Sequence, residues 1–92
     1  MPTLSQAEIA SRLTAHPDWR IENGEIVRTF QFATFPDAVA FVNKVAGAAE
    51  RANHHPDIDI RYNQVRLALV SHDAGGLTDK DFALAAAADR LG

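Results

Sequence analysis

The chain contains no cysteine. That excludes a disulfide framework, a thiolate nucleophile and an iron–sulfur cluster, and it leaves the redox compartment open. Any metal would have to be held by histidine and carboxylate. Proline is scarce as well, with four in 92 residues, while 47% of the residues are hydrophobic and 23% charged, a globular composition rather than a disordered one. Positive charge is in the minority: 12 Asp and Glu against 9 Lys and Arg give a formal charge of -3, and the basic residues are scattered from Arg12 to Arg90. A nucleic-acid binder usually carries a basic stripe on a positive background, so no nucleic-acid partner is expected. Long hydrophobic runs are missing. The alanine-rich run Ala83 to Ala88, extended only by Phe82, is far too short to cross a bilayer, and the segment Met1 to Gln6 lacks the basic stretch and apolar run of a signal peptide. No membrane partner and a cytoplasmic location are the expectations.

What is present suits one small domain spanning residues 1–92. A chain of 10.0 kDa buries only about two-thirds of its unfolded surface, which makes self-association a natural way to gain apolar burial. There is no convincing internal repeat, low-complexity segment or linker. Ser5 with Glu8 reads as a capping box and Leu4 with Ile9 as a hydrophobic staple, predicting a short helix from Gln6 to about Thr14 that His16-Pro17-Asp18 ends. Trp19 and Ile21 alternate with Arg20 and Glu22. Asn23-Gly24 then has the residues of a type I′ turn, and Ile26 to Phe32 continues as a second strand.

Thr34 caps the main helix, with Asp37 at its third position. Ala38, Phe41, Val42, Val45, Ala49 and Ala52 recur at helical spacing, while Gly47 and the alanines leave room for a close neighbour. Pro56 restricts the backbone of His55 and predicts an end near Asn53. Ile58, Ile60 and Tyr62 alternate as a third strand, Val65, Leu67 and Leu69 as a fourth, with Asn63-Gln64 as the turn between them. Thr78 and Asp81 form the capping box of a final helix from Asp79 to about Arg90. The expected fold is two-layer α+β: a four-stranded antiparallel sheet with two long helices on one face, plus a short N-terminal helix.

Residues 50 to 81 gather Glu50, His54-His55-Pro56, Tyr62, His72 and Asp81, and with them three of the chain's four histidines, more imidazole of the kind that titrates near neutral pH than a small core needs. Glu50 and His54 are four apart, so on a continuing helix the carboxylate can orient the imidazole, whereas the adjacent His54 and His55 would diverge by about 100°. Asp81, in a first helical turn, is biased toward its charged form and suits a histidine partner. The pattern is acid–base chemistry without a nucleophile of the Ser/His/Asp type.

Glu50, three residues, His54-His55-Pro56, five residues, Tyr62, nine residues, His72, eight residues, Asp81 resembles the signature of the pterin-4a-carbinolamine dehydratase family, and the likeness extends from about Leu4 to Leu91. The resemblance implies dehydration of 4a-hydroxytetrahydropterin to quinonoid dihydropterin in tetrahydropterin recycling. His54 and His72 match the proton-exchanging pair, His55 the histidine placed against the pterin, Asp81 the aspartate that completes the site, and Glu50 a supporting carboxylate. Pro56 fixes how the histidines are presented, and Tyr62 matches a signature position with a packing role. The pterin is the substrate, and no cofactor or metal is implied. A homodimer or homotetramer is. Ile58 and Ile60 depart from the tryptophan and asparagine of many relatives, which bears on substrate preference.

Each residue also has a plainer reading. His54-His55 could be a polar helix end, His72 a loop histidine, Asp81 a cap and His16 part of a turn, while Trp19, Phe30, Phe32, Phe35, Phe41 and Phe82 would be core. A histidine–carboxylate metal site and a protein-interaction module that stabilises a partner's dimeric state are the competing functions.

Overall fold

A computed structural model describes residues 3–92. Three helices and four strands follow in the order α1 (Gln6–Ala15), β1 (Arg20–Glu22), β2 (Glu25–Gln31), α2 (Phe35–Ala52), β3 (Asp57–Arg61), β4 (Gln64–Leu69) and α3 (Asp79–Leu91). The strands form one antiparallel sheet in the order β1-β2-β4-β3. The expected α+β architecture is the observed one.

Local chemistry accounts for the element ends. At α1 the Ser5 hydroxyl accepts from the Glu8 amide and the Glu8 carboxylate accepts from the Ser5 amide. Those bonds hold the Glu8 carboxyl below the usual carboxylate range. Thr34 and Thr78 accept from backbone amides at the starts of α2 and α3 in the same way. Asn23 and Gly24 both take positive φ, 52° and 78°, as the tight β1–β2 turn requires.

The registers Ile26↔Leu69 and Phe30↔Val65 align the apolar residues of β2 and β4 on one sheet face. Against that face α2 sets Ala38, Phe41, Val45 and Ala49, and α3 sets Phe82, Leu84, Ala85 and Ala88, in one buried cluster with Trp19. Trp19 Nε1 donates to Asp89 at 2.8 Å, and Arg28 reaches the same carboxylate at 2.6 Å, which ties the far end of α3 to the sheet. His16 caps α1 and lies 3.5 Å from that carboxylate, a structural position.

Three expectations are corrected. The hairpin between β3 and β4 turns at Tyr62-Asn63 rather than at Asn63-Gln64, because Arg61 pairs with Gln64. Asn63 exchanges bonds with Phe32, its side-chain amide donating to the carbonyl at 2.8 Å and its own carbonyl accepting at 2.9 Å, so Tyr62 takes the turn position with φ 54°. Phe35 is exposed rather than core, since it opens α2 ahead of the stripe that meets the sheet. A Cβ on Gly47 would meet nothing nearer than Nη1 of Arg51 at 3.5 Å, so this chain's own residues make no close approach there. Gly47→Ala is therefore expected to raise stability by about 0.5–1 kcal/mol, the helix penalty of glycine, as read from the thermal unfolding midpoint.

Candidate active site

The end of α2 decides where the first two histidines go. Asn53 adopts the left-handed conformation, with its amide donating to the Glu50 carbonyl at 3.2 Å and the His54 amide to the Ala49 carbonyl at 3.0 Å. This is a Schellman ending with asparagine at the left-handed position, where it is tolerated next best to glycine. It swings the chain off the helix axis, and the Glu50–His54 pairing expected from a continuing helix does not form. Glu50 instead meets Nε2 of His55 at 2.5 Å, on the exposed surface. In water such a pair contributes at most about 1 kcal/mol.

His54 turns toward α3. Its Nε2 lies 2.5 Å from Oδ1 of Asp81, with the imidazole side chain 10% exposed and the carboxylate fully buried. The other carboxylate oxygen, Oδ2, accepts from the Thr78 amide at 2.9 Å and from the Ser71 hydroxyl at 2.9 Å. Ser71 Oγ is also 2.7 Å from Thr78 Oγ1. Asp81 thus does the two jobs its position suggested, closing the capping box of α3 and facing a histidine. It stands behind His54 rather than in the open.

A cleft of about 360 Å³ opens in front of these groups. Asn53, His54 and His55 line it from the end of α2, Val70, His72 and Asp73 from the loop after β4, and Lys80 from the first turn of α3. His72 is exposed and also borders a second hollow of about 330 Å³ beside the β1–β2 turn. Another cavity, about 570 Å³, lies between α1 and the Gly75-Gly76 loop, but among the described residues its walls carry no titratable side chain. The smaller polar cleft is the candidate site.

The model of the pterin 4 alpha carbinolamine dehydratase family matches residues 2–91 of this sequence. The chain belongs to that family. A protein of Chloroflexus aurantiacus, provisionally named a pterin-4-alpha-carbinolamine dehydratase, is 69% identical over 91 residues, covering 99% of this chain and 98% of that protein. A crystal structure from Brucella melitensis, described as a transcriptional coactivator/pterin dehydratase, superposes with a TM-score of 0.93 at 30% identity over 97% of each chain. A pterin dehydratase-like protein described as a RuBisCO assembly factor in the alpha-carboxysome shares the fold, with a TM-score of 0.65 at 23% identity over 79% of this chain and 84% of that one.

Of the residues singled out for a pterin dehydratase site, the fold brings His54, His55 and His72 to one cleft and Asp81 to the back of His54. Glu50 is held at its edge through His55. Pro56 precedes β3 and is half-buried. Tyr62 is elsewhere: it is 72% exposed and lies beyond the far end of β3, five residues and about 16 Å along the strand from Asp57. Its expected packing role is not met within the chain. Ile58 and Ile60 stand on the same strand and do not line the cleft.

Asn53 stands out in the sequence only as a helix end, and Ser71 and Lys80 do not stand out as site residues at all. Ser71 had a signal: it continues the alternation Val65, Leu67, Leu69 and so falls on the buried face, where a hydroxyl needs a reason. Among the described residues no group of three or more His, Asp or Glu side chains comes together as a metal site, and no helix is long and apolar enough to cross a membrane.

Proposed function

We propose that this family member dehydrates 4a-hydroxytetrahydropterin, a carbinolamine, to quinonoid dihydropterin by histidine acid–base catalysis, in the recycling of tetrahydropterin. With tetrahydrobiopterin as the pterin it would be a 4a-hydroxytetrahydrobiopterin dehydratase, a hydro-lyase. The observation that carries the reading is the 2.5 Å contact between His54 and the buried Asp81 at the wall of a cleft shared with His55 and His72.

The reaction breaks the carbon–oxygen bond at C4a and the nitrogen–hydrogen bond of the adjacent ring nitrogen. An acid protonates the departing hydroxyl, a base takes the ring proton, and the nitrogen lone pair closes the new carbon–nitrogen double bond. One water is lost and no electrons are transferred, so the step as written draws on no redox cofactor. Two imidazoles suit the two proton jobs at neutral pH. In this reading His54 and His72 exchange the protons, His55 stands against the pterin ring with Glu50 supporting it, and Asn53 and Asp73 supply polar groups at the rim. Purified protein should accelerate loss of the 4a-hydroxy intermediate followed by ultraviolet absorbance. A rate equal to that in buffer would overturn the proposal.

A second reading has its own observation. Strand β3 is an open edge with every residue exposed, and Ile58 and Ile60 present apolar side chains there beside the exposed Tyr62. Such an edge invites another strand. A second copy of the chain is the proposed occupant, giving a homodimer or, with helix packing as well, a homotetramer. A module that stabilises a partner's dimeric state, in keeping with the coactivator description of the Brucella protein, would use the same edge. Light scattering at micromolar concentration should show a particle at least twice the 10.0 kDa chain mass, and a stable monomer would end the self-association reading.

A further inference from the structure

Buried hydrogen bonds around Asp81 run in one direction. Thr78 Oγ1 accepts from the Lys80 amide at 3.3 Å, and Ser71 Oγ donates to Asp81 Oδ2 at 2.9 Å. Each hydroxyl has one proton, and Ser71 has committed its own, so the 2.7 Å bond between the two hydroxyls is donated by Thr78 and accepted by Ser71. The Thr78 amide is the second donor to Oδ2. Oδ2 is thereby saturated, and Oδ1 is left facing His54 Nε2 alone.

From this ordering we infer that Ser71 is a positioning residue, which acts through Asp81 to set the tautomer of His54. The proton of the neutral ring sits on Nε2, and Nδ1 is the bare nitrogen offered to the cleft. Nδ1 has no partner among the described residues. No side-chain nitrogen or oxygen of those residues is both buried and unpartnered, so Nδ1 reaches solvent. Which ring nitrogen carries the proton follows from the bond that the other nitrogen makes. The catalytic half of the inference rests on the proposed dehydration. There His54 is the base that takes the ring-nitrogen proton at Nδ1, its positive charge is met by the carboxylate behind it, and His72 is left as the acid for the hydroxyl.

The test reads the tautomer directly, in ligand-free protein with no pterin present. Long-range nitrogen–proton correlation spectra of uniformly labelled wild type, at a pH where His54 is neutral, should show Nε2 protonated and Nδ1 bare. The reverse assignment, or an even mixture, overturns the inference whatever the enzymatic activity. A wild type that shows the expected tautomer but no dehydration defeats the proposed function and leaves the tautomer assignment standing. Ser71→Ala, checked for an intact backbone spectrum, should mix the two tautomers and lower kcat about tenfold with KM unchanged, the loss expected for one hydrogen bond to a charged group. Ser71→Thr, which keeps the hydroxyl, should restore both readouts. An alanine variant that folds and retains the wild-type tautomer ratio also overturns the role of Ser71, and should that variant not fold, the threonine variant and the wild-type spectrum decide.

Discussion

Replacing His54 with alanine is expected to lower the dehydration rate by about 10²–10⁴-fold, the usual contribution of a positioned acid or base. The same substitution at His72 should do likewise, because the two proton jobs are separate steps of one event and losing either stalls it. The stability cost should differ between the two. Among the described residues His54 is the only partner of Asp81 Oδ1, on a fully buried side chain, so its loss leaves an unsatisfied acceptor and costs about 1–3 kcal/mol. His72 is exposed on a loop, and its removal should leave the unfolding midpoint within about 0.5 kcal/mol of wild type. Far-ultraviolet circular dichroism should be unchanged in both, since neither side chain holds a helix or strand. Wild-type rates in both variants would remove the assignment of roles.

Asp81→Ala should be the more damaging change to the fold. It deletes the acceptor of three donors at once: the Thr78 amide, the Ser71 hydroxyl and the ring of His54. Each buried donor left without an acceptor typically costs about 1–3 kcal/mol, so losing the partner of three is a large share of the roughly 5–15 kcal/mol that holds a domain together. The capping box of α3 is lost with it. Urea denaturation should show the midpoint displaced strongly with little change in slope. Asp81→Asn keeps the shape and one acceptor oxygen, but must turn its amide toward either His54 or Ser71. It should lose less stability than alanine and still lose activity. An alanine variant with an unaltered midpoint would show that the buried network contributes nothing.

Much of this protein was legible in order along the chain. Caps, staples and turns depend on residues within five positions of one another, and Ser5 with Glu8, Asn23-Gly24, Thr34 and Thr78 with Asp81 all adopt the structures their types favour. The alternation in β2 and β4 and the helical spacing in α2 likewise mark one face each, and a chain with one sheet and two apolar helices has few ways to bury them. The Tyr62 turn escaped because its decisive contact is not local: Asn63 is tied to Phe32, thirty-one residues away, and that bond shifts the hairpin by one residue.

At the candidate site, residue types and spacing were enough to name the three cleft histidines and Asp81, since proton transfer near neutral pH calls for such groups. Their pairing was not readable. A four-residue interval predicts Glu50 with His54 only while the helix continues, and the left-handed turn at Asn53 ends it one residue too soon. Which carboxylate meets which imidazole then depends on how α3 packs against α2 and the sheet, a matter of long-range burial. The same packing puts Ser71 beside Asp81, across ten residues of chain, and turns an unremarkable serine into the group that aims the carboxylate. Intervals along a backbone govern what neighbours within a turn can reach; the contacts that orient a buried charge come from opposite sides of the core and exist only once that core has closed.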